Sequence, residues 1–207
     1  MKLKREFYMQ DTEIVARELI GKVLVHKLEE TFIKGRIVET EAYLGLWDKA
    51  AHSYGGRRTE RTRTMFAQGG IAYVYFIYGM YYCFNVVTRE EEVPEAVLIR
   101  GIEPLEDSLE QMSLLRYKKT WKELTALQRK NLSNGPGKMA MAFGLDKSCN
   151  ALDLLGEELY IEEGEVEGRI LTSRRIGIDY AEEARDWALR FYLEGSCGVS
   201  PVKKRGF

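Results

Sequence analysis

The most informative stretch of this chain is Arg36-Ile37-Val38-Glu39-Thr40-Glu41-Ala42-Tyr43. Its isoleucine, valine and threonine favour the pleated, half-buried positions of a β-strand. Side chains alternate between the two faces of a strand, so one face is expected to carry Ile37, Glu39, Glu41 and Tyr43, and the other Arg36, Val38, Thr40 and Ala42. Carboxylates are almost never fully buried without a partner. We therefore expect this acidic face either to be solvated or to meet a cationic or catalytic group.

The overall composition predicts an ordinary globular protein. The chain has 207 residues, of which 45% are hydrophobic and 30% charged, which is enough for one domain with a sizeable core. We expect a single domain over residues 1–207. No run of about 18 apolar residues is present, so no membrane span is predicted. The first residues lack the apolar segment of a secretory signal, which favours a cytoplasmic location, with nucleoid association in a bacterium or archaeon.

Metal and disulfide chemistry find little support in the sequence. The three cysteines are scattered, and the two histidines, His26 and His52, lie far apart. This spacing gives neither a disulfide framework nor a set of metal ligands. We expect a protein that uses no metal and no cofactor.

Charge is unevenly distributed along the chain, although the net charge is only −1. Residues 57–63 contain four arginines and one glutamate, and residues 118–130 contain five basic residues and one acid. The near-neutral total excludes binding of polyanions through bulk charge. Solvated faces are the simplest explanation for each run, but two basic runs beside an aromatic segment also suit a local nucleic-acid contact, to which Lys203-Lys204-Arg205 would add.

The rest of the chain alternates strand and helix patterns. Asp11 is predicted to be the N-cap of a helix over residues 12–20 that Gly21 ends. Strand patterns cover residues 23–28, 71–78, 80–87, 95–102, 159–162, 169–172 and 189–193. Helical spacing marks residues 105–115, 121–128 and 139–143. Strands in hairpin-like succession favour a mainly antiparallel sheet with surrounding helices, which is an α+β fold.

Seven aromatic residues lie within the twelve positions from Tyr73 to Phe84. Gly79 stands in the middle of this segment, where a hairpin turn can use its positive φ. Only one face of a hairpin can be core in a layered domain. We therefore expect a protruding aromatic β-hairpin whose tip, Tyr78-Gly79-Met80, exposes bulky side chains. Exposed aromatics beside arginines suit proteins that stack on bases or wedge into a duplex.

Arg100 follows the apolar run Val97-Leu98-Ile99. An arginine in such a run is more often the structural partner of a carboxylate than a catalytic group. Here the carboxylate is predicted to be Glu39 or Glu41, and the nearby cation would keep it ionised near neutral pH.

These residues occur together in a recognisable order. In chain order they are Glu39-Thr40-Glu41-Ala42-Tyr43-Leu44-Gly45, Asp48, Ala50-Ala51-His52-Ser53, Arg61, Met65-Phe66, Tyr73-Val74-Tyr75, Tyr78-Gly79-Met80, Asn85, Leu98-Ile99-Arg100, Glu103-Pro104, Gly135-Pro136-Gly137-Lys138, Leu189-Arg190-Phe191-Tyr192 and Gly195-Ser196. With these motifs the chain closely resembles the alkyladenine (3-methyladenine) DNA glycosylase family over nearly its whole length. The resemblance implies a curved, open-barrel-like antiparallel sheet and a monomeric, monofunctional base-excision repair enzyme without a cofactor. Such an enzyme flips a damaged purine out of double-stranded DNA and hydrolyses its N-glycosidic bond.

The resemblance also implies a role for particular side chains. Glu41 corresponds to the general base that activates water, and Arg100 to a residue that helps to position that water. Tyr43, His52 and Tyr75 correspond to walls of the base pocket, and Asn85 to the residue that rejects the guanine exocyclic amine. Tyr78 and Met80 correspond to residues that intercalate into the duplex. Contact with the DNA backbone is implied for Arg57, Arg61 and Lys138. The implied substrates are 3-methyladenine, 7-methylguanine, hypoxanthine and ethenoadenine, without a ranking.

Two other functions remain open from the sequence. A glycosidase acting on a sugar polymer could use Glu39 and Glu41, because residues i and i+2 of a strand are about 6–7 Å apart. That interpretation gives the basic run and the tyrosine tip no role. A non-catalytic nucleic-acid-binding module would use the aromatics and arginines but leaves the acidic face unexplained.

Overall fold

The computed structural model of the protein describes residues 1–201. Its strands are β1 (Val23–Leu28), β2 (Thr31–Tyr43), β3 (Ala72–Ile77), β4 (Tyr81–Thr88), β5 (Glu95–Pro104), β6 (Leu159–Glu162), β7 (Ile170–Ser173) and β8 (Arg190–Leu193). Its α-helices are α1 (Arg5–Tyr8), α2 (Thr12–Glu18), α3 (Leu109–Tyr117), α4 (Ala126–Lys130) and α5 (Pro136–Ala142). Short 3-10 turns at Gly45–Trp47, Tyr54–Gly56, Arg63–Phe66 and Glu182–Asp186 lie in the loops around the site described below.

The eight strands form one sheet in which the paired strands run antiparallel, with the order β3-β4-β5-β2-β1-β6 and with β8 joining β2 to β7. β2 is the central strand. Residues 31–36 of β2 pair with β1, residues 39–41 pair with β8, and β5 runs along the opposite edge. Along one edge of β2 the partner strand changes from β1 to β8, and the sheet curls into a half-barrel. The predicted α+β fold in a single domain with a curved antiparallel sheet is confirmed.

β2 differs from the sequence prediction in length and in the facing of one residue. It begins at Thr31, because Glu29 adopts a positive φ of 54° and closes a tight turn after β1. Ile37 was expected on the acidic face, but it is fully buried in the same core cluster as Val38. The register between β2 and β5 shifts between Ile37 and Glu39, and again between Glu39 and Thr40. Strict alternation therefore applies only after these irregularities.

The core lies between the sheet and the helices α2 and α5. Val15 and Ala16 of α2 and Met139 and Ala140 of α5 are buried in one cluster with the sheet residues. The helix α2 begins where the sequence predicted, because the Asp11 side chain accepts a hydrogen bond from the Glu13 N–H. Within residues 1–201, the helices are too short or too polar to cross a bilayer.

Candidate active site

A cavity of about 580 Å³ opens beside the β3–β4 hairpin, and aromatic side chains dominate its wall. Its lining includes Tyr43, Ala50, His52, Met65, Tyr73, Tyr75, Tyr78, Tyr81, Cys83, Asn85, Leu98, Arg100, Lys138, Ile176, Gly177, Ile178 and Tyr180. Residues from β2, both hairpin strands, β5, the start of α5 and the loop at 174–181 thus meet around one space. The size and the mostly apolar wall are typical of a small-molecule or base-sized pocket.

Glu41 is completely buried directly behind this wall. Its Oε2 atom accepts hydrogen bonds from the Tyr43 hydroxyl at 2.9 Å and from Arg100 Nη1 at 3.2 Å. Its Oε1 atom accepts a 2.7 Å hydrogen bond from the Ile176 backbone N–H. All three donor residues line the cavity. One layer of hydrogen-bond donors therefore lies between the carboxylate and the cavity.

Glu39, two residues earlier on β2, has different partners. Its Oε1 atom accepts from Arg190 Nε at 2.6 Å and from Arg100 Nε at 3.2 Å, and its Oε2 atom accepts from the Ser200 N–H at 2.6 Å. Burial acts to raise the pKa of Glu39, but the guanidinium groups of Arg100 and Arg190 and the Ser200 contact outweigh it and lower that pKa. Glu39 is therefore an ionised structural carboxylate.

Arg100 joins the two carboxylates through different nitrogens of one guanidinium group. The sequence left open whether Arg100 pairs with Glu39 or Glu41, and the structure shows both pairs. Burial alone would lower the pKa of Arg100, but Glu41 and Glu39 raise it, so the guanidinium stays charged. A charged Arg100 compensates the burial of Glu41.

His52 and two tyrosines of β3 form a continuous aromatic wall. The ring of His52 meets the ring of Tyr75 edge-on, with centroids 4.6 Å apart, and its Nδ1 atom lies 3.0 Å from the Tyr73 hydroxyl. Burial, reinforced by Arg61 and Arg57, lowers the pKa of His52 to about 4. The imidazole is therefore neutral at physiological pH, and this wall carries no charge of its own.

The hairpin between β3 and β4 presents its tip to solvent. Tyr78 is 83% exposed with a φ of 53°, and Met80 is 63% exposed. Gly79 also has a positive φ, of 70°, so the turn occupies the left-handed region twice. Directly after the turn, at the first residue of β4, the Tyr81 ring packs so closely on Gly137 that a Cβ atom there would lie 2.9 Å from it. This contact fixes the hairpin against α5 while its tip remains free.

Asn85 lies in the wall of the cavity and is nearly buried. Its Nδ2 atom donates a 3.0 Å hydrogen bond to the Tyr73 carbonyl across the β3–β4 pair. This bond fixes the orientation of the side-chain amide relative to the aromatic wall.

Of the three residues predicted to contact the DNA backbone, two are exposed on a loop and one lines the cavity. Arg57 and Arg61 are exposed on the loop after His52. Lys138 lines the cavity, and its ammonium donates to the amide oxygens of Asn131 at 2.7 Å and Asn134 at 2.9 Å. The basic cluster at 203–205 lies outside the described residues.

Sequence reasoning missed an ion pair that holds one side of the site. Arg175 and Asp48 are both buried, and Arg175 Nη2 donates to Asp48 Oδ1 at 2.9 Å. The same guanidinium donates to the Ala42 carbonyl at 3.0 Å and lies over the Tyr43 ring at 4.7 Å. It thereby ties the loop that carries Ile176 to the end of β2. Asp48 lay among the family motifs, but no local pattern connected it with Arg175.

Comparison with known proteins gives a consistent result. The family model described as methylpurine-DNA glycosylase matches residues 6–197. A protein of Clostridium acetobutylicum, named "Putative 3-methyladenine DNA glycosylase", is 55% identical over 205 residues, which cover 99% of this chain and 100% of the relative. A protein of the same name from Desulfitobacterium hafniense is 56% identical over 200 residues, covering 96% of this chain and 98% of the relative. The match spans the cavity and the strands that carry Glu41 and Arg100, and the chain belongs to the methylpurine-DNA glycosylase family.

Proposed function

We propose that this protein removes damaged purines from double-stranded DNA by hydrolysing the N-glycosidic bond with an activated water. The observation that carries the proposal is the position of Glu41, a buried carboxylate held by Arg100 and Ile176 directly behind an aromatic cavity. Membership of the methylpurine-DNA glycosylase family supports the same reaction.

The hydrogen bonds of Glu41 leave a place for a water molecule. A carboxylate offers about four acceptor sites on its two oxygens. Oε2 accepts from Tyr43 and Arg100, whereas Oε1 accepts from Ile176. We place the attacking water at the second acceptor site of Oε1, between Ile176 and the cavity. Such a water would have its proton directed at Glu41 and its oxygen directed at the substrate.

The proposed reaction needs no covalent bond between the enzyme and the DNA. The oxygen of the water forms a bond to C1′ of the sugar, and one of its protons passes to Glu41. The bond between C1′ and the purine nitrogen breaks, and the base leaves with the bonding electrons. Positive charge that develops on the sugar is stabilised by the negative charge of Glu41. We therefore propose a monofunctional glycosylase that leaves an abasic site and does not cleave the strand.

The cavity supports recognition of a base outside the duplex. Glycosylases flip the target nucleotide because its glycosidic bond is inaccessible within the stack, at a cost of a few kcal/mol. Tyr43, His52 and Tyr75 offer aromatic surfaces on which the flipped base can stack, and π faces attract electron-poor alkylated purines. The exposed side chain of Tyr78 can fill the gap that the base leaves in the duplex, with Met80 beside it.

The two rival functions fit these contacts less well. A two-carboxylate glycosidase needs a second carboxyl group at the substrate, but Glu39 is fully buried and engaged by Arg100, Arg190 and Ser200. A non-catalytic binding module has no need for a buried, charge-compensated carboxylate behind its ligand cavity.

Duplex oligonucleotides that contain a single hypoxanthine or 3-methyladenine separate the three functions. We expect conversion to an abasic product that breaks only after treatment with alkali. Absence of abasic product at stoichiometric enzyme would contradict the proposal. Borohydride added during the reaction should trap no enzyme–DNA adduct, and a trapped adduct would replace water with an amine nucleophile.

A further inference from the structure

Arg61 was predicted to contact the DNA backbone, yet its guanidinium group lies against the wall of the cavity. Its central carbon is 4.8 Å from the centroid of the Tyr75 ring, which is a cation–π contact. Burial raises the pKa of the Tyr73 hydroxyl, and the positive charge of the same guanidinium acts to lower it. A positive charge thus lies over one aromatic residue of the cavity wall and acts on a second.

The field of this charge extends into the wall. Arg61 is among the causes of the lowered pKa of His52, which touches both Tyr73 and Tyr75. A base stacked against this wall would experience part of the same positive potential, because the guanidinium contacts the Tyr75 ring directly, although solvent screens the exposed side of Arg61.

We propose that Arg61 sets the preference of the enzyme between neutral and cationic damaged purines, in favour of the neutral ones. The inference rests on the proposed glycosylase function. A cationic base such as 7-methylguanine leaves the sugar as a neutral molecule, and on entering the cavity it is repelled by Arg61.

A neutral base such as hypoxanthine behaves in the opposite way. It takes the bonding electrons when the bond to C1′ breaks, so negative charge develops on the purine until it takes up a proton from solvent. No aspartate or glutamate lines the cavity within residues 1–201. Arg61 stabilises the developing negative charge and so supplies part of the assistance that an acid would give.

Arg58 provides a matched control on the same loop. Its guanidinium also makes a cation–π contact, at 4.7 Å, but with Phe66, and it pairs with Glu92 at 2.7 Å. Arg58→Gln therefore removes the same charge and the same kind of ring contact, at a ring outside the aromatic wall of the cavity.

The test measures kcat/KM on two otherwise identical duplexes, one with hypoxanthine and one with 7-methylguanine, at constant salt. For Arg61→Gln we expect the ratio of hypoxanthine to 7-methylguanine excision to fall about two- to fivefold, in line with the strength of cation–π contacts at exposed positions. Arg61→Lys retains the charge and should preserve most of the ratio. Arg58→Gln should leave the ratio unchanged.

Two outcomes would overturn the inference. If Arg61→Gln lowered kcat/KM equally on both substrates, Arg61 would be a phosphate contact only. If neither kcat/KM value changed, Arg61 would have no role in excision. Thermal unfolding of each variant establishes that the protein is folded. Failure of the unsubstituted protein to excise either base would instead contradict the proposed function itself.

Discussion

The Oε1 atom of Glu41 accepts a 2.7 Å hydrogen bond from the backbone N–H of Ile176, a residue 135 positions away in the chain. This bond connects the central strand to the loop at 174–181, which forms one side of the cavity. It orients the carboxylate plane, and the acceptor site proposed for the water lies on the same oxygen. The loop is thus part of the proposed hydrolytic site although it carries no recognisable catalytic motif.

Arg175 is expected to control the rate through that loop. Its hydrogen bonds to Asp48 and to the Ala42 carbonyl hold the loop against β2. Arg175→Lys keeps the positive charge but loses the planar arrangement of donors, so Ile176 should shift relative to Glu41. We expect the single-turnover excision rate to fall about tenfold, with DNA affinity nearly unchanged. A parallel loss of affinity and folding stability, with a normal rate for the bound complex, would make the role of Arg175 purely structural.

Glu39 is expected to affect stability, because it neutralises two buried arginines. Glu39→Gln would leave Arg100 and Arg190 with less compensation and should lower the free energy of unfolding by about 3 kcal/mol. Urea denaturation measures this, with Glu91→Gln at an exposed position as the control. Because the folded pKa of Glu39 is lowered, its contribution is present above the ordinary glutamate pKa and is lost as the pH falls through the folded value. Equal stability of the two variants would contradict this assignment.

His52 is expected to remain neutral in the folded protein until the pH approaches 4. Burial is the main cause of its lowered pKa, and Arg61 and Arg57 add to it. The unfolded chain takes up a proton on this imidazole near pH 6.5, so the free energy of unfolding should decrease between pH 6.5 and about 4, by up to ~3 kcal/mol. Nuclear magnetic resonance titration of the imidazole, with His52→Gln as the reference, provides the measurement. A midpoint near 6.5 in the folded protein would show that the aromatic wall can carry charge.

Asn85 is expected to contribute to the rejection of normal guanine. Its amide is oriented by the bond to the Tyr73 carbonyl and occupies space in the cavity wall. Asn85→Ser shortens the side chain, so the guanine exocyclic amine should be accommodated and release of normal guanine from undamaged DNA should increase. Hypoxanthine excision by the same variant serves as the reference rate. Unchanged discrimination would assign guanine rejection to other residues of the wall.

The sequence predicted the local features of the fold well, because they depend on neighbouring residues. The alternation around Glu41 and the cap at Asp11 are short-range patterns that physical chemistry determines directly. The position of Ile37 was predicted wrongly, since a register shift between paired strands depends on the partner strand. The Asp48–Arg175 ion pair joins residues 127 positions apart and gives no periodic signal. Long-range contacts of this kind become visible only when the sheet is folded.

The central claim is that Glu41 activates water for cleavage of the glycosidic bond, and Glu41→Gln tests it most directly. Glutamine keeps the size of the side chain and one acceptor oxygen but cannot take a proton at neutral pH. The measurement is the single-turnover excision of hypoxanthine from a duplex, together with the affinity of the same variant for that duplex. We expect the rate to fall by roughly 10²–10⁴-fold while binding of damaged DNA is retained. A nearly normal rate for Glu41→Gln would contradict the account.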